Sequence, residues 1–377
     1  MRVLISCGGT GGHINPGLAI ADIIKQKYPD AEFLFAGTPK GMEAKLVPQA
    51  GYRLETIKVA GFQRRISIEN IGRNAKAVAY LVTSGRRAKE IIEGFKPDIA
   101  IGTGGYAAGP VIRKAARMGI PTAIHEQNAY PGVTNRLLSK EVDYVMLTVK
   151  EALDFMDKSK FEYSVTGLPV RSNINTISKS EARRKLGFND DFTILSFGGS
   201  LGAGCINETM TAAIKWHYGK KLSINHIHGY GGMGKETFPQ AMEAAGIPLK
   251  SDRLRITEYI NDMDVCLAAA DLVICRSGAS TLAELEAAGK ASILIPSPIV
   301  AGNHQYHNAM VLGKAGAAVV IEQKDVTDDR IISEIEKLYN APDRVEVMSK
   351  SAADLHLSDT NERILAVVEK LIAKGKK

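Results

Sequence analysis

Short apolar runs rich in β-branched residues recur along the chain and break off at glycine, serine or proline. They are Val3-Leu4-Ile5, Asp98 to Ile101, Thr122-Ala123-Ile124, Thr193-Ile194-Leu195, Leu272-Val273-Ile274 and Ile293-Leu294-Ile295. Each has the length of a buried strand, and helical patterns lie between them. Strand and helix in alternation predict a parallel α/β architecture. The pattern begins twice, at Met1 and again near Phe192, which predicts two doubly wound domains. Proline and glycine punctuate residues 165–175, the expected linker. The first domain is therefore expected over 1–164 and the second over 176–345. Residues 346–377 follow as helices. In the last of these, Asp359 or Thr360 caps a run in which Ile364, Val367, Val368, Leu371 and Ile372 recur at helical spacing.

The 377 residues suffice for two cores, and 45% hydrophobic with 24% charged residues fits a folded globular chain. No stretch reaches the roughly 18 apolar residues of a membrane span, and the run at Val3 is too short for a signal peptide. Four cysteines, Cys7, Cys205, Cys266 and Cys275, show neither a CxxC pair nor zinc-ligand spacing, so a reducing cytosol is the expected compartment. The formal charge of +7 favours acidic partners. Much of it sits between Phe62 and Ile92, where Arg64, Arg65, Arg73, Lys76, Arg86, Arg87 and Lys89 face only Glu69 and Glu90. Apolar residues interleave them. Two readings stay open: an apolar face resting on an anionic membrane surface, or ordinary core packing. Nucleic acid is not expected, because no reader motif accompanies the charge.

Functional groups of parallel sheets collect in loops at the carboxyl ends of the strands. Gly8-Gly9-Thr10-Gly11-Gly12-His13 follows the first strand and leads into a helix containing Pro16. Such a loop offers backbone amides to an anion at a helix N-terminus. It is not the GxGxxG dinucleotide fingerprint, and the second strand ends in Phe35-Ala36-Gly37 without a ribose-binding acid, so NAD is disfavoured. Gly102-Thr103-Gly104-Gly105-Tyr106 and Gly198-Gly199-Ser200-Leu201-Gly202-Ala203 are further strand-end loops. His125-Glu126-Gln127-Asn128 places four polar side chains directly after a strand. Arg276 to Thr281 opens a helix that could receive a diphosphate, and Glu284, one turn in, suits ribose hydroxyls.

Three other patterns carry less. Gly229 to Lys235 fits GxxxxGK, but Glu236 stands where a Walker loop needs Ser or Thr. Asp262-Met263-Asp264 resembles a metal-binding DxD, yet it introduces an apolar helical run that an N-cap explains. His226 and His228 alternate along a strand without a third ligand nearby.

Taken together, the loops at Gly8 to His13, Gly104 to Pro110, His125 to Asn128 and Gly198 to Ala203 resemble the MurG transferases of glycosyltransferase family 28. Thr257 to Met263, Arg276 to Glu284 and Asn303 to Ala309 continue the resemblance in order. It implies a GT-B fold, two Rossmann-like doubly wound parallel-sheet domains facing a central cleft, with the last helix packing back on the first domain. It also implies inverting transfer of N-acetylglucosamine from UDP-GlcNAc to the MurNAc C4 hydroxyl of undecaprenyl-pyrophosphoryl-MurNAc-pentapeptide, lipid I, at the cytoplasmic face of the membrane. On the donor side it implies Ile260 at uracil, Glu284 at ribose, Ser200 with Ala279, Ser280 and Thr281 near the diphosphate, His304 and Gln305 at the sugar, and Arg171 facing the nucleotide. On the acceptor side it implies Thr10, Gly11, Gly12, Tyr106, His125, Asn128 and Asn135, with His13 and Glu126 at the transfer site. No cofactor or metal is implied.

His13 is the candidate base, since imidazole titrates near the operating pH; Glu126 and His125 are alternatives for that role or for orienting it. Leu168 and Leu201 depart from the family, which has amides there, and each is expected to lose a hydrogen bond if one was made. Rival readings are another sugar-nucleotide enzyme of the fold, such as an epimerase or glycolipid synthase, and a noncatalytic sugar-nucleotide binder.

Overall fold

A computed structural model of the protein describes residues 1–59, 83–171, 173–199 and 201–375. Ser200 and residues 62–82 of the basic segment thus lie outside the described residues. By its internal contacts the chain divides into two units, Met1–Pro169 with Leu357–Lys377, and Val170–His356.

The first unit is built on β1 (Arg2–Cys7), β2 (Glu32–Gly37), β3 (Arg53–Thr56), β4 (Ile99–Gly104), β5 (Thr122–Glu126), β6 (Tyr144–Leu147) and β7 (Glu162–Val165). All pair in parallel, in the order β3-β2-β1-β4-β5-β6-β7. Its helices are α1 (Gly11–Lys27), α2 (Glu43–Gln49), α3 (described over 83–95), α4 (Ala108–Arg117) and α5 (Val133–Leu138). Period-2 alternation sends Val3, Ile5 and Cys7 to one face with α1, while Leu4, Leu34 and Ala100 face α3 and α4. Both faces are covered, so the strands read as continuous apolar runs.

The second unit has β8 (Phe192–Phe197), β9 (Ile224–Gly229), β10 (Leu254–Thr257), β11 (Leu272–Cys275), β12 (Ala291–Leu294) and β13 (Ala318–Val320). Its parallel order is β10-β9-β8-β11-β12-β13. The helices α6 (Lys179–Leu186), α7 (Gly204–Gly219), α8 (Thr237–Glu243), α9 (Met263–Ala269), α10 (Ala279–Ala288), α11 (His304–Lys314), α12 (Asp328–Tyr339) and α13 (Pro342–Leu355) sandwich this sheet.

The chain then returns to the first unit as α14 (Thr360–Gly375). Ile364, Val367, Val368 and Leu371 join the core around α1 and β1. Lys370 pairs with Glu162 and lies over the Tyr144 ring, and Lys374 reaches Asp143. Four buried apolar side chains at roughly 1.5–3 kcal/mol each make α14 an integral part of that core.

In each sheet the strand order reverses beside the first strand, between β1 and β4 and between β8 and β11. Such switch points open a crevice at the carboxyl ends of the strands. The glycine loops fall there in both units.

Three expectations change. α1 begins at Gly11, so His13 stands in its first turn, and Pro16 leaves the Gly12 carbonyl without an i+4 donor. Asp262 occupies the N-cap position of α9 but makes no capping bond; its carboxylate grips Arg255 bidentately at 2.8 and 2.7 Å. Leu168 is buried, 4% exposed, which makes its apolar side chain suited to its place, while Leu201 is 74% exposed, where a lost amide would forfeit little. Among the described residues no helix is long and apolar enough to cross a membrane.

Candidate active site

In the first unit the site is assembled around three glycines. Gly105, at φ +83°, lies so close to the first loop that a Cβ would overlap the Gly8 carbonyl, and a Cβ on Gly104 would come within 2.8 Å of His13 Nδ1. Only glycine lets the β1 and β4 loops meet the His13 ring in this way. Beneath them Glu43, fully buried, accepts hydrogen bonds from the Gly9 amide (3.1 Å), the Thr38 amide (2.8 Å) and the Thr38 hydroxyl (2.6 Å). These donors hold its carboxyl below the usual range against the opposing effect of burial, the largest single cause. The Gly9 amide is therefore committed to Glu43. Gly11 and Gly12, in the first turn of α1, have no i−4 carbonyl within the helix to accept from their amides, and Gly12 is exposed. Thr103 Oγ1 donates to the His13 carbonyl at 2.7 Å and ties this turn to β4.

His13 is half-buried, and its Nδ1 lies 3.1 Å from Gln127 Oε1. Gln127 Nε2 reaches the His125 carbonyl (2.9 Å) and His125 Nδ1 (3.1 Å). His125 Nε2 donates to the Gly167 carbonyl at 2.9 Å. Complete burial drives the His125 pKa down to about 4, so the ring is neutral and structural. His13 Nε2 has no partner among the described residues.

Glu126, expected at the transfer site as a base or as a group orienting His13, has both carboxylate oxygens engaged. Its Oε1 accepts from the Asn128 amide (2.9 Å) and Asn128 Nδ2 (3.1 Å), and its Oε2 from the Gly132 amide (3.0 Å) and Asn135 Nδ2 (2.8 Å). With four donors around a side chain only 1% exposed, Glu126 organises the loop from β5 to α5. Asn135, equally buried, serves that loop and the His125 carbonyl. Tyr106, by contrast, is 62% exposed beside Gly105. Thr10 is exposed in the first loop.

In the second unit α10 begins at Ala279 after Gly278, so the Ala279, Ser280 and Thr281 amides are its unpaired first-turn donors. Arg276 precedes that turn in sequence, its guanidinium held by the Ile295 and Pro296 carbonyls (2.9 and 3.1 Å) and by Gln323 Oε1 (2.6 Å). None of these partners neutralises its charge, and burial pulls its pKa down. Glu284, one turn along α10, accepts the Arg171 Nε–H at 2.7 Å. Gln305 Oε1 accepts from the Ser297 amide (2.9 Å), which turns its NH₂ group away from that loop as a donor. Its backbone carbonyl takes the hydroxyl of the fully buried Ser277 (2.7 Å), and His304 Nδ1 donates to the Ala301 carbonyl (2.9 Å). The Ile260 side chain is buried, 6% exposed, against Gly229 and Phe197, so only its main chain is free to meet a base.

The discounted motifs have structural explanations. Gly231 packs so tightly on Gly202 that neither could carry a Cβ, and Lys235 pairs with Glu258 at 3.5 Å. His226 and His228 share the Ser196 hydroxyl, each at 2.8 Å. Among the described residues no group of three or more His, Cys, Asp or Glu converges as metal ligands. In the described part of the basic segment every cation is matched: Arg86 with Glu90, Arg87 with Glu55 at 2.6 Å, and Lys89 with Glu93.

Sequence reasoning passed over Gln127, Glu43 and Arg276 as site residues. Gln127 and Arg276 stand inside the polar motif at His125 to Asn128 and the loop at Arg276 to Thr281; Glu43 carries no local signal, and the glycines packed around it mark its place.

The N-terminal domain model of glycosyltransferase family 28 matches residues 3–147 and the C-terminal domain model of that family matches residues 193–364. The chain is 45% identical over 374 residues to the UDP-N-acetylglucosamine–N-acetylmuramyl-(pentapeptide) pyrophosphoryl-undecaprenol N-acetylglucosamine transferase of Acetivibrio thermocellus, covering 99% of this chain and 98% of that one. It is 42% identical to the Desulforamulus reducens transferase of the same name, covering 99% and 100%. Among solved structures, Acinetobacter baumannii MurG superposes with a TM-score of 0.78 at 27% identity, over 98% of this chain and 99% of that one. The two parallel sheets are those of the GT-B glycosyltransferase fold.

Proposed function

The chain belongs to glycosyltransferase family 28, and we infer from that membership that it transfers N-acetylglucosamine from UDP-GlcNAc to lipid I, giving lipid II in peptidoglycan synthesis. The observation that carries this is full-length identity of 45% to a transferase of that name, with each motif loop present in order. That excludes neither chemistry by fold alone, but an epimerase or a pure binder has no use for the acceptor-side loops of the first unit.

In our reading the second unit binds the donor. The first-turn amides of α10 and the Arg276 guanidinium suit the diphosphate, Glu284 the ribose hydroxyls, and the Gln305 amide and His304 the sugar. Main-chain groups at Ile260 suit the edge of uracil. Ser200 joins the diphosphate site by resemblance alone.

The first unit binds the acceptor, its diphosphate against the Gly11 and Gly12 amides, with Thr10, Tyr106 and Asn128 around it. His13 is the base. Its Nε2 takes the proton of the MurNAc C4 hydroxyl as the oxygen attacks C1 of the sugar, UDP departs from the opposite face, and configuration inverts. General-base help is worth about 10²–10⁴-fold. Preorganised amides and Arg276 stabilise the departing diphosphate without a metal. Glu126 and His125 act behind this centre, not in it, because their polar atoms are engaged.

The acceptor is held in a membrane by its undecaprenyl chain, so the enzyme works at the cytoplasmic face as a peripheral protein, with the basic segment 62–92 toward anionic headgroups. Arg86, Arg87 and Lys89 of α3 are each matched by a carboxylate, so this reading rests on Arg64, Arg65, Arg73 and Lys76, which lie outside the described residues.

Purified protein supplied with UDP-GlcNAc and a short-chain lipid I analogue in EDTA tests the reading. A glycolipid heavier by one N-acetylglucosamine supports it. Hydrolysis or epimerisation of the donor, with the acceptor intact, would contradict it.

A further inference from the structure

We propose that Gln127 is a positioning residue that holds His13 in the one neutral tautomer able to act as the base, its own amide being oriented by His125 and the Gly167 carbonyl. This rests on the reading of His13 as the base and extends it to groups that never touch substrate.

The orientation is imposed from the far end. The Gly167 carbonyl can only accept, so the His125 Nε2 that meets it at 2.9 Å carries the proton. Full burial keeps that ring neutral, and its Nδ1 is therefore a lone pair. That lone pair and the His125 carbonyl both require donors. Gln127 supplies them from one NH₂ group, at 3.1 and 2.9 Å, which turns its amide oxygen toward His13. An amide oxygen only accepts, so the proton of His13 sits on Nδ1, 3.1 Å away, and Nε2 is left bare.

The anchor itself cannot drift. Gly167 adopts φ +75°, and a Cβ there would come within 2.5 Å of Thr360 Oγ1 at the start of α14. Gln127 is 2% exposed, so water does not compete for its amide. A reversed amide would present NH₂ to His13, force the proton onto Nε2 and abolish the base.

During transfer the amide exchanges no proton. Nε2 gains the hydroxyl proton, Nδ1–H stays on Gln127 Oε1, and the imidazolium later releases the new proton to solvent. A carboxylate in place of this amide would favour the charged ring and slow that release.

The test is ¹⁵N-histidine NMR of the full chain, joined to pH–rate profiles of Gln127→Met and Gln127→Glu. Wild type shows His13 protonated on Nδ1. Gln127→Met shows His13 protonated predominantly on Nε2 and loses about tenfold or more in kcat, in proportion to the Nδ1-protonated fraction lost, with KM for UDP-GlcNAc unchanged; the wrong tautomer costs about 10⁴-fold in the Ser-His-Asp triad. Gln127→Glu keeps the proton on Nδ1 and moves the acid limb of kcat up by about 1–3 pH units. A purely structural glutamine would lower activity in Gln127→Met while His13 stayed protonated on Nδ1. Wild-type His13 protonated on Nε2 overturns the proposal, and this result needs no variant to fold. If the wild-type tautomer is as stated yet His13→Ala transfers at full rate, the base assignment fails while the positioning stands.

Discussion

Arg171 Nε donates to Glu284 Oε1 at 2.7 Å, so the carboxylate assigned to ribose is held in place before any nucleotide arrives. Glu284 is 18% exposed and Arg171 49%, which leaves the second carboxylate oxygen able to accept from hydroxyls. Hydrogen bonds to a charged group contribute about 1.5–3 kcal/mol, so Glu284→Ala is expected to weaken UDP binding roughly 10- to 100-fold. Calorimetry with UDP measures this, and an unchanged Kd would remove Glu284 from the donor site.

Gly105→Ala sets a methyl group against the Gly8 carbonyl and places alanine at φ +83°. The backbone penalty alone is about 1–2 kcal/mol, and the overlap adds to it by displacing the His13 loop. Transfer should fall by tenfold or more while UDP affinity, proposed to belong to the second unit, is retained. Full activity in this variant would mean that the β1 and β4 loops need not meet.

The second unit buries three histidines as a connected set. His217 lies 3.0 Å from His226, which shares Ser196 with His228, and His228 stacks on Phe238. Burial lowers the pKa of His217 to about 4 and of His228 to about 3, and that of His226 well below its usual value. The unfolded chain binds these protons near pH 6.5 and the folded unit does not. Stability is therefore complete above about pH 6.5 and falls as pH drops toward 4, with a slope approaching three protons, or about 4 kcal/mol per pH unit. Trp216, the chain's one tryptophan, adjoins His217 in α7 and reports unfolding of this unit. Urea midpoints that stay level from pH 7 to 5 would show that the histidines are not neutral in the fold.

Much of this architecture is legible in residue patterns. The β-branched runs mark β1, β4, β5, β8, β11 and β12, and the glycine loops fall at the switch points because strand order dictates where crevices open. What could not be read is connection across the chain. His125-Glu126-Gln127-Asn128 shows as a polar cluster, but adjacency in sequence says nothing about Glu126 being saturated by Asn128, Gly132 and Asn135 while Gln127 reaches back 114 residues to His13. Glu43 is hidden for the same reason: a lone glutamate at the start of α2 becomes a loop anchor only when β1 and β2 lie side by side. Leu168 reads as a missing amide in sequence because the burial that suits its apolar side chain is not visible there.

Membrane docking should depend on Arg64, Arg65, Arg73 and Lys76 more than on the cations of α3, which carboxylates already match. Each Lys or Arg near an anionic surface contributes about 1 kcal/mol, so replacing Arg64, Arg65, Arg73 and Lys76 together by Gln should weaken binding to phosphatidylglycerol vesicles by about 10²–10³-fold at low salt. Replacing Arg86 and Lys89, whose charges are matched by Glu90 and Glu93, should do far less. Equal losses in the two sets would place the membrane surface along α3 as well.

As the proposed base, His13 removes the acceptor proton, and single-turnover transfer by His13→Ala tests this most directly. With UDP-GlcNAc and the lipid I analogue saturating, the rate of disaccharide formation should fall about 10²–10⁴-fold while UDP-GlcNAc affinity stays at the wild-type value. Transfer at the wild-type rate would contradict the account and return the role of base to a group not yet identified.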